Sequence, residues 1–273
     1  MHLCLAAAAA VMAVASCGQK KEAPKVLVLY YSQTQNTKAV AEEIATRLGA
    51  DIEEILAVDS YGTDYHATIE RCLKEREEGV TPEIQPVAAD ISAYDVIFLG
   101  YPVWFGTFAP PVSAFLDGAD LSGKKIIPFC TFGSGGLDSS IRDIKARQPE
   151  AEVLPGYGVR AARIAAVPKE IDNFLKAAGL LEGEFFKPAE FPELHAVSEE
   201  EAAIFDAAVD GYPMLNAKAA EVASREIPGG VEYLFTAVPA PREDNPRMPP
   251  PGNVKVYVTV EEGLAPVFTQ VVR

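Results

Sequence analysis

Histidine, cysteine and positive charge are all scarce in this 273-residue chain. There are three histidines, and His2, His66 and His195 stand far apart; the four cysteines, Cys4, Cys17, Cys72 and Cys130, form no CxxC pair. Zinc and iron–sulfur sites need clustered ligands, so no metal centre is expected. No Cys–His or His–Asp pattern for nucleophilic catalysis stands out either. Lys and Arg number 24 against 39 Asp and Glu, a formal charge of −15 spread along the chain. Such a surface repels phosphate backbones, which argues against nucleic acid and against a bare anionic membrane. It is compatible with simple solubility or with a protein partner that carries a basic docking face.

Long hydrophobic runs are also missing. Leu3–Ala15 is apolar but falls short of the roughly 20 residues that span a bilayer. It leads into Val14-Ala-Ser-Cys17 and the polar tether Gly18–Pro24. Small residues before a lone cysteine resemble a bacterial lipoprotein signal. That resemblance implies that residues 1–24 are signal and tether, that Cys17 is lipidated, and that the protein touches the membrane only through a lipid anchor in the bacterial envelope. A cytoplasmic location is the alternative.

The rest is ordinary globular sequence, 49% hydrophobic and 23% charged. From residue 25 to about 180, strand and helix patterns alternate. Strands are expected at Val26–Tyr31, Asp51–Val58, Asp95–Tyr101, Lys125–Thr131 and Glu152–Val159. Helices are expected at Thr37–Leu48, Thr63–Glu78, Pro110–Asp117, Leu137–Arg147 and Pro168–Ala178. On the second helix Tyr65, Ile69, Cys72 and Leu73 form the expected inward face. Five βα units imply an α/β fold with a doubly wound parallel sheet, whose ligand loops lie at the carboxyl ends of the strands. Beyond Gly183 the pattern changes. Ser198 and Glu201 form a capping box for one helix, and strand-like runs follow at 231–238, 254–260 and 267–272 around a six-proline loop, Pro239–Gly252. A small α+β domain over 190–273 is expected, with 25–183 as the main domain.

Three loops at the strand ends carry the chemistry. The first, Ser32-Gln-Thr-Gln-Asn-Thr37, joins an apolar strand to an amphipathic helix. Loop amides and the positive end of the helix dipole converge there on one anion. The loop holds no Lys or Arg, which suits a permanently bound phosphate monoester better than a triphosphate with Mg²⁺. The second, Gly100-Tyr-Pro-Val-Trp-Phe-Gly106, carries the only Trp of the chain and suits stacking on a flat heteroaromatic ring. The third, Cys130-Thr-Phe-Gly-Ser-Gly-Gly136, lets backbone approach a ligand closely.

Taken together, these three loops resemble those of the flavodoxin-like proteins, over roughly residues 25–180. The resemblance implies a five-stranded sheet of order 2-1-3-4-5 and an FMN cofactor. It implies that Ser32, Gln33, Thr34, Gln35, Asn36 and Thr37 hold the phosphate. Pro102, Val103, Trp104, Phe105 and Gly106, with Thr131, Phe132, Gly133, Ser134 and Gly135, would enclose the ring. Gln35 stands where the family usually has Gly, and would cost about 1 kcal/mol if positive φ is required there. The third loop has no clear Tyr to cover the second ring face, for which Phe132 is the candidate. The function implied is an FMN-binding electron carrier; an FMN-dependent NAD(P)H:acceptor reductase of the quinone type is the alternative. A non-catalytic envelope binding module is the third reading, since residues 190–273 have a short likeness to cystatin-like folds.

Overall fold

The structure is a computed structural model, and it describes residues 23–212, 215–240 and 252–272. Cys17, the lipoprotein signal and most of the proline-rich loop lie outside the described residues. The element order in the first half is β1 (Val26–Tyr30), α1 (Asn36–Leu48), β2 (Asp51–Glu54), α2 (Tyr65–Glu78), β3 (Val96–Trp104), β4 (Thr107–Phe108), α3 (Pro110–Gly118), β5 (Lys125–Phe132), α4 (Leu137–Arg147), β6 (Glu152–Val153), β7 (Tyr157–Arg160) and α5 (Val167–Ala177). The strands form one sheet of order β2-β1-β3-β5-β6, with β7 also paired to β5 and β4 folded back on β3. Except for β4, every pairing in it is parallel.

Parallel strands buried on both faces read as continuous apolar runs, as β1, β3 and β5 do. One face packs on Val40, Ala41 and Ile44 of α1 and on Ile171 and Leu175 of α5. The other packs on Val112, Phe115 and Leu116 of α3 and on Ile144 of α4. The expected order is therefore present, with two corrections to its last strand and second helix. The fifth strand is not one run over 152–159. It breaks at Leu154-Pro-Gly156 into β6 and β7, because Pro155 has no N–H for the ladder. On α2 only Cys72 is buried; Tyr65 is 73% and Leu73 50% exposed. Cys72 joins the core cluster that holds Ile55 and Tyr61, while Glu75 and Arg76 of the same helix line an open groove, so little of the expected apolar face is covered.

The second half contains β8 (His195–Ala196), α6 (Glu199–Val209), β9 (Ala217–Ile227), β10 (Gly230–Pro239), β11 (Val254–Glu261) and β12 (Val267–Val272). All five strands form an antiparallel sheet in chain order. Ser198 and Glu201 close the expected capping box, and α6 lays Phe205 edge-on to Phe235, with ring centroids 5.2 Å apart. Val222, Val256, Val258 and Phe268 complete this separate core. The two sheets meet beside the Gly-rich loop, where the Val271 amide donates to the Ser134 carbonyl at 2.5 Å.

Candidate functional site

β1, β3 and β5 are neighbours, and their register aligns Tyr30 with Gly100 and Pro102 with Thr131. The three chemically distinctive loops therefore leave the same edge of the sheet side by side. A buried pair joins the first loop to the third: Thr37 Oγ1 and Thr131 Oγ1 lie 2.9 Å apart. Gly136 sits against the second loop, since a Cβ there would come within 2.5 Å of Val103 Cγ1. Ser139 Oγ donates to the Gly106 carbonyl at 2.5 Å.

In the first loop the chain turns into α1 through Gln35, which has φ 65° and ψ −5°. This is the left-handed conformation in which glycine is normally found, so the glutamine is strained there by about 1 kcal/mol. The αL residue followed by helical residues makes a concave row of amides, and the first turn of α1 has no internal acceptors for them. Ser32 Oγ accepts from the Lys38 amide at 3.3 Å, which leaves its own proton free to donate. Thr34 Oγ1 accepts from Asn36 Nδ2 at 3.2 Å. Gln33 is engaged elsewhere. Its Oε1 accepts from Tyr31 Oη at 2.7 Å, and its Nε2 donates to the Gly62 carbonyl. Its side chain thus ties the first loop to the one after β2, leaving only its backbone for an anion.

The second loop is more ordered than a loop. β3 runs on to Trp104, and the chain reverses through Phe105-Gly106 to pair Trp104 with Thr107. Both turn residues have positive φ, 51° and 86°, as a two-residue hairpin turn matching the strand twist requires. Gly106 takes this freely. Phe105 does so under strain and is left half exposed. Among the described residues Gln35 and Phe105 are the two non-glycines with positive φ, and both fall in these loops.

Trp104 is fixed by an aromatic cluster. Tyr31 and Tyr61 meet it edge-on at 5.9 and 5.2 Å between centroids. Tyr61 Oη donates to Glu75 at 2.6 Å, and the Arg71 guanidinium lies 3.9 Å from its ring centre. Burial and the Glu75 carboxylate push the Tyr61 hydroxyl far above its ordinary pKa, so it stays a neutral donor. Tyr61 carries no signal in the sequence pattern, since it lies in an aperiodic loop. A groove of about 460 Å³ opens on the side of the aromatic hairpin that faces α2, α3 and α4, reaching Trp104, Phe105, Arg76 and Arg147. Neither the first nor the third loop lines it, so it is distinct from the row of amides at the start of α1.

In the third loop Thr131 and Phe132 are buried, while Gly133 is open and Ser134 and Gly135 are half-buried. Phe132 is therefore no ring cover. It is 4% exposed, and its ring packs over Gly158, where an added Cβ would lie 2.8 Å from it. Both cysteines are free and buried. Burial raises the Cys72 thiol to about 11 and the Cys130 thiol further, so neither is a ready nucleophile.

A doubly wound parallel sheet whose first, third and fourth strand-end loops lie side by side at one edge defines a flavodoxin-like α/β fold. The sequence profile of the flavodoxin family matches residues 25–173, and the chain belongs to that family. Among solved structures, a protein described as a flavoprotein from Bacteroides eggerthii is 27% identical, at a TM-score of 0.51 over 57% of this chain and 98% of its own. A flavoprotein from Lactobacillus acidophilus, solved in complex with FMN, is 25% identical, at a TM-score of 0.47 over 55% of this chain and 97% of its own. These matches reach little more than half of this chain, which continues into the second sheet.

Proposed function

We propose that the protein binds FMN and works as an electron carrier. The observation that carries this reading is the junction of the three loops at one sheet edge, drawn together by the Thr37–Thr131 hydroxyl pair. The residues fit the cofactor. The amides of the first turn of α1 and the hydroxyls of Ser32, Thr34 and Thr37 suit a phosphate monoester with no cation of its own. Trp104 and Phe105, with Pro102, Val103 and Gly106, supply the aromatic wall, and the backbone of Gly133–Gly135 supplies the opposite edge. Bound FMN would supply the redox chemistry, one electron at a time.

The chain's own residues then hold and shield. The neutral cup fixes the phosphate, and the aromatic cluster of Tyr31, Tyr61 and Trp104 keeps the wall rigid. A carrier needs no side-chain acid or base, in keeping with the buried thiols. Partner docking falls to the acidic surface, which favours a redox partner with a basic face. The Cys17 signal supports a lipid-anchored place in the envelope.

Steady-state NAD(P)H oxidation by FMN-loaded protein, without any partner, separates this reading from the reductase. A carrier turns over almost none, whereas sustained oxidation would make the protein a reductase.

A further inference from the structure

The Gly-rich loop is held from outside its own domain. The Val271 amide of β12 donates to Ser134 O at 2.5 Å. A Cβ on Gly135 would lie 2.4 Å from Val271 O, so the strand fits against this loop without space to spare. Arg160, at the end of β7, bridges the two domains. Its Nε donates to Gly133 O at 2.8 Å and its Nη1 to Phe268 O at 3.0 Å. The guanidinium carbon lies 3.4 Å from the Phe268 ring centre and 5.4 Å from that of Tyr212. The Tyr212 ring in turn packs on Phe268, centroid to centroid 4.9 Å.

Two details go beyond ordinary interdomain packing. Tyr212 Oη reaches to 3.7 Å from the Cβ position of the open Gly133, which puts a half-buried aromatic at a loop whose own Phe132 is buried. Arg160 is desolvated, which lowers its pKa, yet among the described residues no carboxylate pairs with it. In a chain of net charge −15 an unpaired, partly buried cation at the ligand edge of a sheet favours an electron-rich ligand edge close by.

We propose that the second domain is a wall of the flavin site. Arg160 and β12 clamp Gly133–Gly135 in position, and Tyr212 supplies the aromatic cover on the face opposite Trp104. This rests on the FMN reading above. Tyr212 would touch the cofactor. Arg160 is a positioning residue that acts through the Gly133 carbonyl.

The test is an FMN titration of the full chain, read by flavin fluorescence, on the wild type and on Tyr212→Ala, Tyr212→Phe and Arg160→Ala. Each variant is checked by thermal melting. Tyr212→Ala should weaken FMN binding about tenfold and Tyr212→Phe less than threefold, because the ring face is what covers the ligand. Arg160→Ala should weaken binding and also speed hydrogen exchange at the Gly133–Gly135 amides before any FMN is added. Wild-type protein that binds FMN, with Tyr212→Ala binding equally well, overturns the proposal and leaves the FMN reading standing. Wild-type protein that binds no FMN overturns both. Should Arg160→Ala fail to fold, the two Tyr212 variants decide the matter alone.

Discussion

Thr37 and Thr131, 94 residues apart in sequence, share a buried hydroxyl–hydroxyl hydrogen bond of 2.9 Å between the first loop and the third. One of the two donates, so one proton remains for a further acceptor. No other side-chain bond joins these two loops among the described residues.

Removing one partner should cost more than removing both. Thr37→Val strands the Thr131 hydroxyl and should cost about 1–3 kcal/mol; Thr37→Val with Thr131→Val should recover much of that. Urea denaturation of the two single variants and the double variant measures the coupling. Additive losses would show that the bond carries no weight.

Gln35→Gly should stabilise the protein by about 1 kcal/mol, because it relieves the left-handed strain that the glutamine bears at φ 65°. Gln35→Val should destabilise it, a β-branched residue being worse there. The midpoint of chemical denaturation reads both. If Gly leaves the midpoint unchanged or lowers it, the position is not strained.

Gly100→Ala should lose about 3 kcal/mol. The new methyl would lie 2.1 Å from Phe129 Cζ, and that ring is wholly buried between β3 and α1 neighbours. Phe129→Leu added to Gly100→Ala should restore part of the loss. Equal melting temperatures for Gly100→Ala and wild type would contradict the packing described.

Alkaline pH should unfold the protein early. Burial raises the folded pKa of Cys72 to about 11 and of Tyr30 to about 12, with Cys130, Tyr31, Tyr61 and Tyr157 higher still. These groups are neutral when protonated, and the unfolded chain releases their protons first. Their contribution is therefore complete below the ordinary thiol and phenol values and is lost as pH rises past about 9, each group adding a slope of up to about 1.4 kcal/mol per pH unit. Stability measured from pH 7 to 11 should be flat at first and then fall. A rise above pH 9 would contradict the burial of these groups.

Much of this was legible in the sequence, and the gaps have physical causes. Apolar runs marked β1, β3 and β5, and the Ser198–Glu201 box marked α6, because those patterns follow from burial and capping alone. β9 was not anticipated. Its sequence, Ala-Lys-Ala-Ala-Glu-Val-Ala-Ser-Arg-Glu-Ile, is rich in helix formers, and long pairing with β10 overrides that propensity. The aromatic loop was visible as composition, but its hairpin was not, because Phe105 is an unexpected residue at a positive-φ turn position. Gln35 was flagged as a departure from glycine, and the backbone there does need the left-handed conformation. Phe132, the candidate ring cover, is buried, and Tyr212, which lies near Gly133 from the second half of the chain, carried no signal because the contact spans about 80 residues of sequence.

The most direct measurement uses the single tryptophan of the chain, Trp104. Titrating FMN into the full protein while exciting tryptophan should quench its emission and saturate at one FMN per chain, because the proposed function puts the flavin ring against the indole. Emission that does not respond to FMN, from a protein that melts cooperatively, would contradict the assignment of these three loops to a flavin.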